Sequence, residues 1–178
     1  FSFKYGDILC NADSDLTSVL DEGVGVRLEK KDYPEYNAVE WVLYFENKSK
    51  KNSGIFSDIF DCHTLLPLNF PPEKRMGYMP KSGDALVITM NGAVDGKYYT
   101  DNDKVSASEF GFNYEYLDKA PNCTKCFSNI GGRSSDGTMP FFDITALGDG
   151  YIAAVGWTGD WKAEFTKKGN GVEIKTGL

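Results

Sequence analysis

Between Val39 and Glu46 the side chains alternate without a break. Val39, Trp41, Leu43 and Phe45 fall on one side, and Glu40, Val42, Tyr44 and Glu46 on the other. A repeat of two over that length is a β-strand with one face turned to a core. A helix would scatter those four apolar side chains around its axis. No stretch of the chain carries an apolar stripe through three helical turns, so the core must be built by strands. Aromatic residues at 14% and a supply of 19 glycines suit strands joined by turns.

The rest of the chain reads in the same way. Val24, Val26 and Leu28 alternate with Gly25, Arg27 and Glu29, and Pro34 ends that run. Positions 47–54 are a polar turn. Positions 55–68 are less regular and close at Pro67, ahead of the Pro71-Pro72 pair. A long loop is expected over 69–83, a short strand over 86–90, and turns at Asn91-Gly92 and Asp95-Gly96. Positions 98–109 are polar and exposed, and 110–116 are aromatic and extended. A cysteine loop and a Gly-Ser loop follow. The closing strands lie over 141–146, 151–156, 161–165 and 172–175, with turns at 147–150 and 168–171. The reading is an all-β, antiparallel β-sandwich in a single domain over 1–178, without internal repeat or linker.

The formal charge of −7, from 26 acidic and 19 basic residues, opposes condensation on nucleic acid or anionic lipid. It is compatible with a neutral carbohydrate or a protein surface. No run of eighteen apolar residues is present, so no membrane span is expected. There is no basic start followed by an apolar stretch, hence no visible signal peptide. Phe1 is not an initiator, so the parent protein is expected to begin upstream. The compartment stays open, with a slight lean to the cytoplasm.

Cys123 and Cys126 have the spacing of half a zinc site or of a redox pair, but no second pair completes four ligands. Cys62-His63 could add two ligands only through an unusual adjacent arrangement. Free thiols are the favoured reading, ahead of a local disulfide and of zinc, and no metal or cofactor is expected. His63, the single histidine, has no nucleophile motif beside it. No phosphate-cradling glycine motif occurs.

Two segments are chemically dense. One is Gly131-Gly132-Arg133-Ser134-Ser135-Asp136-Gly137-Thr138-Met139-Pro140-Phe141-Phe142-Asp143. The other is the turn Gly156 to Asp160, which carries Trp157 and is followed by Trp161. Hydroxyls, a guanidinium, carboxylates and indoles suit the rim of a polyol-binding cleft, where ring faces meet sugar C–H groups and polar tips meet hydroxyls. The candidates are Arg133, Asp136, Phe141, Trp157, Asp160 and Trp161. Bland readings compete, the tryptophans as sandwich core above all. Asp58 with Asp61, or Asp136 with Asp143, could form a carboxylate couple, but their spacing does not fix the geometry that glycoside hydrolysis needs. No catalytic residue is assigned. Trp41, mid-strand on the apolar face, is expected in the core. An apolar patch formed by Trp157, Trp161, Met139, Phe141 and Phe142 is expected beside the two turns, and the isolated domain could self-associate through it.

The chain resembles the N-terminal β-supersandwich domain of the α-galactosidase-like glycoside hydrolases, the group of melibiase and raffinose-degrading enzymes. The resemblance runs through 1–6, 33–45, 57–59, Gly132-Arg133-Ser134-Ser135 and Pro140-Phe141-Phe142. It is densest at Gly156-Trp157-Thr158-Gly159-Asp160-Trp161-Lys162-Ala163-Glu164-Phe165, and ends with Gly171-Val172-Glu173-Ile174 and Gly177. Positions 71–125 carry little of it, and the cysteine loop is foreign to the pattern. In the family the supersandwich continues past the point matched by Leu178, and the catalytic carboxylates lie on a following (β/α)₈ barrel. The resemblance therefore implies a non-catalytic domain, inactive alone, that packs on the barrel of the parent chain and helps close a site for a galactoside or related glycan. A free-standing carbohydrate-binding or protein-interaction module is the alternative.

Overall fold

The computed structural model describes residues 1–68, 85–92, 112–117, 124–129, 131–146 and 149–178. The expected loop at 69–83, the Asp95-Gly96 turn, the polar run at 98–109 and Cys123 lie outside these residues. Of the described residues 65% are strand and 5% helix, in antiparallel sheets, which makes the fold all-β and sandwich-like as the alternation requires. They group into two compact units, one of residues 1–63 with Gly177, the other of residues 64–176 with Leu178.

In the first unit β1 (Ser2–Tyr5) turns at Gly6-Asp7 into β2 (Ile8–Asn11) and pairs on its other side with β5 (Phe56–Pro67), whose last residues enter the second unit. A single helical turn, α1 (Leu16–Val19), is capped by the Asp15 side chain, which accepts from the Thr17 N–H. The hairpin of β3 (Val24–Tyr33) and β4 (Ala38–Asn47) is a separate ribbon. Pro34 ends β3 in a 3₁₀ turn, and Asn37 adopts the left-handed conformation (φ 49°) that reverses the chain. Phe3, Tyr5 and Cys10 form the core, with Val26, Phe45 and Phe56 packed on it. The rings of Phe45 and Phe56 lie 4.8 Å apart, edge to face.

Two expectations shift here. Trp41, Leu43 and Phe45 do share the inward face of β4, but Trp41 is half-buried rather than core, and Val39 is exposed. The ribbon is a two-stranded sheet of its own among the described residues, and Trp41, Leu43 and Phe45 on its inner face are each only partly buried. The Trp41 indole N–H donates to the Asp61 carbonyl at 2.9 Å instead. The irregular stretch at 55–68 is in fact one continuous strand of 12 residues, β5. Its period is broken by Asp58, at φ 46°, beside a register shift against β1.

The second unit is a sandwich. One layer holds β12 (Gly171–Gly177), β11 (Lys162–Lys168) and β8 (Thr124–Ser128) in that order. The other holds β10 (Asp149–Ala154), β9 (Thr138–Ala146), β6 (Ala85–Asn91) and β7 (Phe112–Leu117). Phe142 of β9 meets Phe165 of β11 at 5.0 Å, Phe127 of β8 at 5.8 Å and Trp161 at 5.7 Å. Val87, Leu117, Ile144, Ala163 and Val172 complete a fully buried interior. Cys126, expected in a loop, lies on β8.

Candidate functional site

At the end of β8 the chain passes through Asn129 and reverses at Gly131 and Gly132. Their φ values of 75° and 78° are left-handed, open to glycine at little cost. Arg133 then folds back on Asp136. Its Nε and a terminal guanidinium nitrogen both stand 2.8 Å from Asp136 Oδ2, and the Asp136 N–H donates to the Arg133 carbonyl at 3.0 Å. Across from this turn β10 stops at Ala154, held where the Val155 N–H donates to the Pro140 carbonyl. The Gly156–Asp160 turn follows. Its Trp157 indole lies over Gly159 so closely that a Cβ there would stand 2.8 Å from Nε1.

One carboxamide joins the two turns. Asn129 Nδ2 is shared among the Arg133 carbonyl at 3.0 Å, Asp160 Oδ1 at 3.2 Å and the Gly159 carbonyl at 3.3 Å. Asn129 Oδ1 accepts from the Trp161 backbone N–H at 2.8 Å. The Trp161 indole N–H adds a bond to the Ser134 carbonyl at 2.7 Å. Two segments far apart in sequence thereby become one rim whose polar groups are satisfied from within.

The six candidates separate by burial. Trp161 is 2% exposed and lies edge-on against Phe142, and Asp136 is buried against Arg133, so both support the rim from below. Arg133, Trp157 and Asp160 are exposed and form its surface. Phe141 is also exposed but lies on the outer face of β9. Of the apolar patch expected at the turns, Phe142 and Trp161 are buried and Met139 is half-buried. Asn129 was not foreseen. An asparagine before a Gly-Gly pair signals a turn, and nothing local announces a partner 32 positions away.

A second surface stands out on the outer face of the four-stranded sheet. The strand register lines up Ile152 of β10, Asp143 of β9, Ile88 of β6 and Tyr114 of β7 in one row. Phe112 and Tyr116 flank Tyr114 on the same face of β7, and Phe112, Tyr114, Phe141 and Asp143 share a cavity of about 340 Å³ with Ile88, Met90 and Ile152. The part of the aromatic stretch among the described residues, 112–116, was legible as extended but not as a site.

The remaining reactive groups have structural surroundings. His63 Nδ1 lies 2.8 Å from the buried Ser2 hydroxyl and pins β1 to β5. Asp58 pairs with Lys4 at 2.7 Å. Burial pushes the Cys62 thiol up to about 12, with Asp61 adding to it, so it is no thiolate at neutral pH. Burial, then Glu164, also raises the Cys126 thiol. Cys10, Cys62 and Cys126 are free, and no metal-holding group of three His, Cys, Asp or Glu occurs among the described residues. No family model matches the chain, and no curated protein or solved structure is significantly similar to it.

Proposed function

We propose that the chain is a non-catalytic β domain of an α-galactosidase-like glycoside hydrolase, lending its Arg133, Trp157 and Asp160 rim to a galactoside site completed by a catalytic barrel. The observation that carries this reading is the Asn129 junction. It brings the segment of the exposed Arg133 and the turn of the exposed Trp157 and Asp160 onto one rim. That is the chemistry a sugar selects, a ring face for its C–H groups and fixed donors and acceptors for its hydroxyls. The acidic balance of the chain favours a neutral ligand over a phosphorylated one. Hydrolysis uses two carboxyl groups roughly 5 to 9 Å apart. Asp58 and Asp136, each a candidate for half of such a couple, are instead bound to Lys4 and Arg133.

The test is kinetic and uses the full-length parent enzyme with an aryl α-galactoside. Trp157→Ala and Asp160→Asn each lower kcat/KM by about tenfold or more, the effect of roughly 1.4 kcal/mol lost from transition-state binding. Asp160→Asn keeps Oδ1 for Asn129 and removes only the charge. Wild-type kcat/KM for both variants would overturn the placement. So would turnover by the 178-residue chain alone that vanished on changing one of its carboxylates.

A further inference from the structure

We infer that the outer face of the β10–β9–β6–β7 sheet is a second carbohydrate-binding surface, separate from the rim, which takes an extended neutral glycan laid along β7. Phe112, Tyr114 and Tyr116 occupy alternate positions of one strand, so their rings repeat at about 6.8 Å, twice the antiparallel rise per residue. They are 59%, 58% and 43% exposed, and Phe141 across the sheet is 51% exposed. A contiguous row of open rings on a folded surface marks a place of interaction.

Asp143 decides what interacts. Its carboxylate stands in the apolar row between Ile152 and Ile88, with no ion pair or hydrogen bond to any described residue. A protein surface covering this face would have to bring a cation to that carboxylate and desolvate the pair, which often gives no net gain, and interface cores are depleted of charge. A second copy of this chain would bring like charge onto like charge. A compact organic cation would neutralise Asp143, but it binds best where ring faces close around it. Here the rings stand open in a line. A neutral sugar chain meets both conditions, since its hydroxyls donate to a carboxylate that keeps its charge and its C–H faces cover successive rings. These side chains border a shallow, open depression of about 340 Å³, a shape that fits a chain laid across the face rather than a small molecule enclosed in it. The inference rests on the carbohydrate reading above only in its choice of polymer.

The experiment is affinity electrophoresis of the 178-residue chain in native gels containing soluble galactomannan, with xyloglucan in parallel. Galactomannan, xyloglucan or both retard the wild type. Tyr114→Ala and Phe112→Ala weaken that retardation by about tenfold each, the size of one ring contact worth roughly 1.4 kcal/mol. Asp143→Ala weakens it and Asp143→Asn does not, because the hydroxyls need an acceptor rather than a charge. All of these side chains point outward, so the variants keep the wild-type circular dichroism spectrum. No retardation by either polymer would overturn the inference, as would retardation undiminished in folded Tyr114→Ala. A concentration-dependent dimer abolished by Tyr114→Ala would overturn it as well, in favour of a protein contact. None of these outcomes touches the rim, whose test is the kinetics of the parent enzyme.

Discussion

Trp157 and Trp161 stand four positions apart and have opposite fates. The first is 53% exposed and the second 2%. The sequence shows two indoles on a turn and cannot say which faces inward. That is decided by Asn129, which captures the Trp161 N–H and leaves Trp157 outside the bond network. Trp41 teaches the same lesson from the other side, because the apolar pattern placed it correctly on the inward face while how much would cover that face depended on distant packing. The Asn129 side chain is therefore the residue on which the rim depends. Asn129→Ala leaves the buried Trp161 N–H without an acceptor, a loss of about 1–3 kcal/mol. Urea denaturation followed by tryptophan fluorescence measures it, and Trp157→Ala in the same assay stays within about 0.5 kcal/mol of wild type, as exposed substitutions do. Equal losses in the two variants would mean that the junction does not hold the rim.

At the scale of elements, periodicity carried the reading where strands are regular and failed where a single residue interrupts them. β4 and the closing strands from β9 to β12 were legible. β5 was not, because Asp58 at φ 46° shifts the alternation partway along. β1 was missed although Phe1, Phe3 and Tyr5 alternate with Ser2 and Lys4, since a run that short has few periods to read. What locks β1 is also not periodic. The Tyr5 hydroxyl donates to Asp21 Oδ2 at 2.5 Å and accepts from the Gly54 N–H at 2.7 Å, and a Cβ on Gly54 would strike the ring. The Tyr5 hydrogen bond, helped by the Gly54 N–H, holds the Asp21 carboxyl below its ordinary range. The same contact with Asp21, then burial, raises the Tyr5 hydroxyl above its own. A depressed carboxyl contributes stability above the ordinary carboxylate range near about 4 and loses it as pH falls. A raised phenol contributes below about 10 and loses it as pH rises. Tyr5→Phe should therefore flatten the stability profile of the first unit at both ends. Urea midpoints across pH, read by amide exchange in residues of β1, check this, and a profile identical to wild type would refute the coupling.

For the whole molecule, strand content follows from composition and alternation, whereas the assignment of faces needs the register. Charge weighs against polyanionic partners without naming a partner, and the resemblance to glycosidase N-terminal domains stays a proposal beside the geometry. The sandwich itself makes a sharper demand. Phe142 and Tyr114 are aromatic residues of the same four-stranded sheet, pointing to opposite sides. Phe142 is 1% exposed among Phe127, Trp161 and Phe165, and Tyr114 is 58% exposed. Cutting Phe142 back to alanine removes the ring on which the opposing layer closes, at a cost of about 3–5 kcal/mol. That is a large part of the roughly 5–15 kcal/mol that holds an ordinary domain together. Tyr114→Ala removes a ring that water already covers and costs within about 0.5 kcal/mol. Denaturation of the two variants, followed by amide exchange in β9 and β11, should give this contrast. A loss for Tyr114→Ala as large as that for Phe142→Ala would mean that the outer face is covered too, and the glycan surface would go with it.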